Sequence, residues 1–149
     1  MSDLSSDAAA YIEKSMIALL VTVGEENKPF VRFVGPLVNT GLNVYFTTAL
    51  DSRKVRHIAA NPNVTLNFQN PVISQEEFKS VALSGKASQV PEGKEFDEVL
   101  KMLAKKSPGF GKYIKDRGFK NWAIYKVEGK TLQVTDLAKS KKTITEEII

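Results

Sequence analysis

YFTTALDSRKVRHIAANP, residues 45–62, joins a strand-like run to a helix that opens at Asp51 and Ser52. Aspartate and serine favour the N-cap because a side-chain oxygen can accept the amide hydrogens that lack partners in a helix's first turn. Those amides and the positive end of the helix dipole also attract phosphate. Arg53 and Lys54 place cations in this turn, where the dipole favours carboxylates. The stretch predicts an anion site, with a capped helix carrying a solvated basic face as the alternative.

Arg32 favours the anion site. It stands among hydrophobic residues in FVRFVGPLV, residues 30–38, which reads as a strand. An unpaired guanidinium there is costly to desolvate, so its partner is either a carboxylate or a phosphate or polar ring edge. Gly35 and Pro36 interrupt the same strand and indicate a bulge or an edge, where backbone groups could turn to a ligand.

The composition excludes several classes of site. The chain fits a single domain, 1–149, with 42% hydrophobic residues for its core. Without cysteine there is no disulfide, thiolate metal site or cysteine nucleophile, and the single histidine, His57, excludes a multi-histidine metal site. No window is long and apolar enough for a membrane span, and acids at Asp3 and Asp7 argue against a secretion signal, so we expect a cytoplasmic protein.

A basic block occupies residues 101–130, where nine Lys or Arg face two carboxylates. Such a block can bind a polyanion, and Phe110, Tyr113 and Phe119 are interleaved in it as stacking on nucleic-acid bases would require. The alternative is a solvated or cofactor-facing surface. We rank nucleic-acid binding below that alternative.

Apolar periodicity and turn residues divide the chain into mostly β structure. Strands joined by hairpins, with helices inserted between them, describe an antiparallel β-barrel with peripheral helices. The predicted helices are 3–14, 52–60, one from 91 to about 106 and a short one ending at 118; the predicted strands are 16–23, 30–38, 42–48, 63–69, 80–90 and a terminal hairpin of 122–127 and 131–135, followed by a loosely held tail, 137–149.

Two expectations follow for the neighbourhood of the anion site. The turn at residues 39–41 makes the second and third strands antiparallel neighbours, which places Arg32 beside Phe46 and Thr47. The helix after the third strand is expected to bury Val55, Ile58 and Ala59. His57 is left less constrained, and because a lone histidine beside such a face is more often a surface or satisfied residue than a catalytic base, it is given no role.

The element order resembles the pyridoxamine 5′-phosphate oxidase-like superfamily of FMN-binding split β-barrels, and more closely its small general-stress-protein members. The resemblance covers roughly residues 8–136 and rests on RFVGPL, YFTTALDSRK, the Asn-Pro helix stop and LSGKA. It implies FMN as the cofactor, and a homodimer with the flavin in a cleft between subunits. The Arg-Leu-His-type signature that grips pyridoxal phosphate is missing after Trp122, so vitamin-B6 oxidation is not expected.

The resemblance also implies the residues that contact the flavin. The strand arginine and its successors lie along the cofactor, two residues flank the ring, and the Ser-Arg-Lys triplet holds the phosphate. Trp122 could contribute from the second subunit or simply belong to the strand core, and a glutamine typical of the oxidases is replaced by Ser80. The implied contacts are Arg32, Phe33, Val34, Gly35, Pro36, Leu37, Phe46, Thr47, Ser52, Arg53, Lys54, Ser80 and Trp122.

An FMN-dependent oxidoreductase, reduced by NADH, NADPH or a small reductant, is the function that this resemblance implies. No residue is an evident acid or base. The alternatives are a flavin-binding stress or sensor module without turnover, and a deazaflavin or haem protein on the same fold. His57 alone could ligate haem iron as a histidine, which makes haem less attractive.

Overall fold

Alternating apolar residues form the strands of this protein. In the computed structural model, which describes residues 2–71, 74–139 and 142–148, Ala18–Val23 buries every second side chain, as a strand with one covered face requires. The strands are β1 (Ala18–Val23), β2 (Pro29–Val34), β3 (Leu37–Thr40), β4 (Asn43–Ala49), β5 (Asn63–Gln69), β6 (Lys79–Gln89), β7 (Trp122–Asp136) and β8 (Lys142–Glu147).

Four α-helices lie in the described residues, at the periphery of the sheet. The third carries Glu95 and Asp97 in its first turn and Lys105 and Lys106 in its last, which complements the helix dipole. None of the helices described is of a length and apolar character that would let it cross a membrane. They are α1 (Asp3–Glu13), α2 (Arg53–Ala60), α3 (Lys94–Lys106) and α4 (Pro108–Arg117).

The strands form one antiparallel sheet in the order β2-β1-β5-β6-β7-β4-β3, with β8 paired to β7. The sheet curls, because β2 and β4 approach one another although they stand far apart in this order. No ladder joins β2 to β4 within the described chain. We call this unpaired approach the seam; it is the split of a split β-barrel, and the predicted fold class is confirmed.

Two clusters of buried side chains hold the barrel together. The larger fills the interior and includes Phe46, Phe68 and Leu20, which are fully buried. The smaller lies between the outer face of the sheet and α3, where Val99 and Leu103 pack with Ile124. Both clusters leave the seam and the start of α2 on the rim, where a ligand can reach them.

The predicted strand 30–38 is two strands. β2 ends at Val34 and β3 begins at Leu37, with Gly35 and Pro36 between them. β2 pairs with β1, whereas β3 pairs with β4. The prediction that Arg32 lies on the strand next to Phe46 and Thr47 is therefore wrong, because the chain leaves one edge of the sheet at Gly35 and joins the other.

The predicted terminal hairpin is one continuous strand. β7 runs through Glu128, Gly129 and Lys130 and pairs with β6 along its length. Gly85 faces Gly129, and a Cβ on Gly85 would collide with the carbonyl oxygen of Glu128. The two glycines let the backbones cross closely, so the ladder continues through a bulge where a turn was expected.

Two further segments differ from the sequence-based expectation. α4 begins at Pro108, four residues before the predicted short helix, because proline suits the first helical position. Residues 142–147 form β8 and pair with β7, where a loose tail was expected. Residues 140, 141 and 149 of that tail lie outside the described chain.

Candidate functional site

The start of α2 leaves its first-turn amides without a side-chain cap. Ser52 occupies the N-cap position, as predicted, but makes no capping hydrogen bond. Its hydroxyl lies 3.0 Å from Thr48 Oγ1, at the end of β4. Asp51 is exposed, and its carbonyl accepts a hydrogen bond from Arg56. The donors of this turn therefore remain available to an anion.

Arg32 reaches α2 from β2. Its NH1 group donates to Thr22 Oγ1 at 2.6 Å, and the carbonyls of Phe30 and Leu20 lie at 3.2 and 3.3 Å. Its NH2 group lies 3.4 Å from His57 Nδ1, on α2 itself. Arg32 thus contacts α2 at His57, in the last turn of that helix. The convergence of Arg32 with the Ser52 end of α2 stays a prediction, and the two are not on paired strands.

The cations at this place have no carboxylate partner. Among the described residues, the ion pairs are Lys28 with Glu26 and Lys126 with Glu95, and neither includes Arg32, Arg53 or Lys54. We call these three residues the basic cluster. Arg53 is exposed and lies over the ring of Phe30, 5.3 Å from its centroid. Arg32 and Lys54 are half-buried.

Mutual repulsion and burial make the basic cluster electrostatically unfavourable on its own. Burial, with repulsion from Arg53, lowers the pKa of the Arg32 guanidinium. Burial, with repulsion from Arg32, lowers the pKa of the Lys54 ammonium. Both shifts mean that the charged forms are disfavoured here relative to water. A bound anion would offset both causes.

His57 is buried and hydrogen-bonded, which is the satisfied alternative for a lone histidine and not the surface one. Only 9% of it is exposed, its Nδ1 lies 2.8 Å from Thr22 Oγ1, and its ring packs on Phe30 at 4.7 Å. Burial lowers the pKa of His57, with further lowering by Arg32, Arg53 and Arg56 and an opposing effect of Glu25. The sequence signal was Thr22, a lone polar residue in an apolar strand that needs a hydrogen-bonding partner when buried.

A cavity of about 270 Å³ lies beside the seam and gathers four of the predicted contacts. Thr47 in its wall has a buried hydroxyl with no hydrogen-bond partner among the described residues. Trp122 is 36% exposed, so its assignment as plain strand core is wrong. We call this cavity the aromatic cavity. The residues that line it are Gly35, Pro36, Thr47, Phe110, Tyr113 and Trp122.

Two of those lining residues were not predicted as site residues. Phe110 and Tyr113 come from α4, and the ring of Tyr113 meets Trp122 edge-on at 6.3 Å. Phe110 also packs edge-on against Phe119 at 6.2 Å. The sequence placed Phe110, Tyr113 and Phe119 in a basic block suited to nucleic acid, but all three rings contact other aromatic rings within the protein.

The remaining predicted contacts are placed differently. Val34 and Leu37 are buried in the core, as is Phe46, whose ring stacks on Tyr125 at 6.0 Å. Phe33 points outward from β2 and is 66% exposed. Ser80 lies on β6, which β1 and β5 separate from β2 in the sheet, and no described contact joins it to the basic cluster.

Within the described chain, no group of three or more carboxylate or histidine side chains could hold a metal ion. Gly35 and Pro36 line the aromatic cavity together with Thr47 of β4, whereas the Ser-Arg-Lys triplet follows the end of β4 at the start of α2.

Solved structures share this fold. A haem-binding protein from Mycobacterium smegmatis superposes with a TM-score of 0.81 at 15% identity, over 99% of this chain and 59% of that one, so the chain spans about three fifths of its length. A haem storage protein from Vibrio cholerae gives 0.71 at 16% identity, covering 87% and 92% of the two chains. A Clostridium acetobutylicum protein related to general stress protein 26 superposes with a TM-score of 0.72 at 18% identity, over 97% of this chain and 94% of that one.

Sequence comparison gives the family. No curated protein sequence matches the chain. The family profile described as pyridoxamine 5′-phosphate oxidase matches residues 4–129, from α1 to the bulge of β7. The chain belongs to the pyridoxamine 5′-phosphate oxidase-like family.

Proposed function

We propose that the protein binds FMN, with the phosphate held by the basic cluster at the start of α2. The observation that carries this proposal is the pair of half-buried cations, Arg32 and Lys54, for which no carboxylate partner is described. An unpaired charge removed from water is unfavourable unless a counter-charge joins it. A phosphate ester supplies that charge together with acceptors for the uncapped amides of α2.

The seam offers a place for the ring of the flavin. The aromatic cavity lies beside the seam, and Thr47 in its wall has a buried hydroxyl for which the described residues offer no hydrogen-bond partner. A polar ring edge could satisfy that hydroxyl, and Tyr113 and Trp122 present aromatic surface to a planar ring. The break at Gly35 and Pro36 exposes backbone at the same place.

FMN supplies hydride and electron transfer when it is bound, and the protein then contributes position, electrostatics and shielding from water. Here the basic cluster would fix the phosphate, and its positive potential would favour an anionic form of the bound molecule. We infer an FMN-dependent oxidoreductase that accepts electrons from NADH, NADPH or a small reductant. The alternative is a flavin-binding stress or sensor module without turnover, which should stay oxidised under anaerobic NADH or NADPH.

Haem and deazaflavin are the rival ligands. Haem is supported by the two relatives of this fold whose names refer to it. His57 weakens that case, because it is the one histidine of the chain and is buried against Thr22 and Phe30. Because Nδ1 faces Thr22, only Nε2 of His57 could ligate iron, and Gly24 lies close to that atom. The absorbance spectrum of the purified protein, followed by release of the chromophore, separates flavin, deazaflavin and haem.

We also infer a homodimer. The outer face of β2 exposes Val31 and Phe33, and Met16 and Ile17 expose more apolar surface at the approach to β1. Contiguous apolar surface of this kind favours a protein partner. Sedimentation velocity on the wild type and on Phe33→Lys tests the interface, since a dimer through this face should dissociate in the variant. Nucleic acid is less favoured, because Phe110 and Phe119 pack within the protein.

The decisive experiment compares FMN with riboflavin, which lacks the phosphate. We expect the wild type to bind FMN more tightly, and Arg53→Ala/Lys54→Ala to lose that difference. Lys101→Ala, on an exposed position of α3, is the matched control for removing positive charge. Flavin fluorescence titration gives the dissociation constants. If the double variant still binds FMN more tightly than riboflavin by the wild-type factor, the basic cluster is not the phosphate site.

A further inference from the structure

We propose that His57 is a positioning residue that orients the Arg32 guanidinium toward the anion through the hydroxyl of Thr22. The inference rests on the proposed function for the identity of the anion. It concerns a residue of α2 that lies outside the Ser-Arg-Lys triplet. The three side chains come from β1, β2 and α2, so the chain of hydrogen bonds ties the helix to the sheet.

One arrangement of hydrogens satisfies all three side chains. A guanidinium only donates, so Thr22 Oγ1 accepts from Arg32 NH1 at 2.6 Å. The hydroxyl hydrogen of Thr22, a fully buried residue, is then available to His57 Nδ1 at 2.8 Å. Arg32 NH2, a second donor, also lies 3.4 Å from Nδ1. In this arrangement Nδ1 is the unprotonated acceptor, and the hydrogen of the neutral imidazole resides on Nε2.

This arrangement divides the donors of Arg32. NH1 is directed to Thr22 and to the carbonyls of Leu20 and Phe30. Among the described contacts, Nε has no acceptor and NH2 has only the long approach to His57. Fixing NH1 thus presents the other edge of the planar group to a ligand. A planar donor held in this way recognises phosphate with less loss of side-chain entropy.

Close packing keeps the imidazole in place. Phe30 packs on the ring of His57 at 4.7 Å and also lies beneath Arg53. A Cβ on Gly24 would come within 2.9 Å of His57 Nε2, so the loop before β2 approaches the imidazole edge. Packing therefore fixes the plane of the ring, and the hydrogen bond to Thr22 places Nδ1 on the side that faces β1.

The charged groups around His57 favour its neutral form. Arg32 approaches from β2, Arg53 and Arg56 from α2, and Glu25 from the turn after β1. The three arginines, together with burial, lower the pKa of His57, and Glu25 opposes them. A protonated ring would lose the acceptor at Nδ1 and add a fourth positive charge. Neutral His57 is accordingly the form that can hold Thr22 and Arg32.

The first test uses the protein without flavin. His57 is the only histidine, so its imidazole gives an unambiguous signal in long-range proton–nitrogen correlation NMR of nitrogen-labelled protein. At neutral pH we expect the tautomer with hydrogen on Nε2. Thr22→Val should change the Nδ1 shift, whereas Thr22→Ser, which keeps the hydroxyl, should preserve it. A hydrogen on Nδ1 would overturn the positioning role, whatever the flavin result.

The second test measures what the positioned arginine does. Thr22→Val and His57→Phe should weaken FMN binding by about tenfold, the scale of one lost hydrogen bond to a charged group, and change riboflavin binding much less. Thr22→Ser should retain the wild-type difference. An equal loss for both ligands would assign Thr22 and His57 a merely structural role. If the wild type binds neither ligand, the proposed function fails, and the tautomer alone decides whether the hydrogen-bond chain exists.

Discussion

The Thr48 hydroxyl lies 3.0 Å from the hydroxyl of Ser52, where β4 ends and α2 begins. The contact joins a residue near the end of a strand to the N-cap residue of the following helix. It directs the Ser52 side chain to the strand and away from the helix amides it would ordinarily cap. An anion in the basic cluster could therefore accept hydrogen bonds from backbone amides that the Ser52 side chain does not cap.

Lys54 is expected to lower the stability of the flavin-free protein and to raise its affinity for FMN. Lys54→Met keeps most of the apolar stem and removes a half-buried charge that Arg32 repels. The variant without flavin should unfold at the same temperature as the wild type or higher, because an unfavourable charge is gone. Its affinity for FMN should fall by about tenfold, as for a lost hydrogen bond to a charged group.

Thermal unfolding with and without FMN, together with a flavin titration, checks both effects of Lys54→Met. Lys101→Met is the control, since Lys101 is exposed on α3. A fall in stability without flavin, combined with unchanged FMN affinity, would show that Lys54 serves the fold and not the anion.

The unpartnered hydroxyl of Thr47 leads to a second prediction. Thr47→Val replaces a buried hydroxyl that has no described partner with a methyl group of similar shape. We expect the flavin-free protein to gain about 1 kcal/mol, because the desolvation penalty of the hydroxyl disappears. Flavin affinity should fall, since a ring contact is lost.

Thr47→Ser is the matched control for that experiment, because it retains the hydroxyl. Chemical denaturation without flavin and fluorescence titration with it give the two quantities. A loss of stability in Thr47→Val would mean that the hydroxyl already has a partner in solution, and the aromatic cavity would no longer be supported as a polar site.

Local signals explain the parts of the fold that could be predicted. β5 was predicted with the observed bounds, Asn63–Gln69, because its alternation is clean and Pro62 stops the preceding helix. α2 was predicted within one residue for similar reasons. These elements are determined by residues within a few positions of each other. Long-range pairing is not visible at that scale.

The corrections have that long-range character. FVRFVGPLV, residues 30–38, reads as one apolar run, but the curling of the sheet sends its two halves to opposite edges. The run around Gly129 reads as a hairpin turn, yet Gly85 faces it from another strand and removes the need to turn. In both cases a tertiary partner overrides the local signal.

The anion site was predicted where positive charge and a helix start coincide in one stretch. Arg53 and Lys54 follow Ser52 directly and, together with Arg32, they predict an anion site, which stays a prediction. Phe110 and Tyr113 reach the aromatic cavity only because α4 lies over the start of β7. His57 reads as a surface or satisfied residue, because helical periodicity alone does not show that Thr22 lies beneath it.

The glycine pair of the β6–β7 bulge leads to a third prediction. Gly85→Ala would drive a methyl group into the carbonyl oxygen of Glu128, and backbone cannot move aside as a flexible side chain does. We expect a loss of about 2 kcal/mol or more, of the order found for overpacked sites. Gly109→Ala is the control, because its added Cβ meets nothing within 4 Å on α4.

Chemical denaturation of both glycine variants provides the measurement. Gly109→Ala should be neutral or slightly stabilising, as alanine favours a helix more than glycine does. Equal effects of the two substitutions would contradict the close crossing of β6 and β7 at Gly85.

The pH dependence of stability should report His57. Its pKa in the folded protein is lowered from the ordinary 6.5 by burial and by Arg32, Arg53 and Arg56. Below pH 6.5 the unfolded chain therefore binds a proton that the folded chain does not, and stability falls as the pH falls toward the lowered value. Above pH 6.5 this contribution is constant, because the imidazole is neutral in both states. The slope cannot exceed about 1.4 kcal/mol per pH unit, which is the value for one proton.

A comparison of the wild type with His57→Asn isolates this effect, because asparagine does not titrate but retains an acceptor near the position of Nδ1. Glu95, whose pKa is lowered by its hydrogen bonds to Tyr45 and Lys126, also makes stability fall on acidification, but below its ordinary value of 4.5. The free energies of unfolding should therefore diverge between the two proteins as the pH drops from 6.5 and before the carboxylate window is reached. Parallel curves across that interval would mean that His57 is protonated as readily in the folded protein as in the unfolded chain. The surroundings of His57 would then not favour its neutral form over the protonated one.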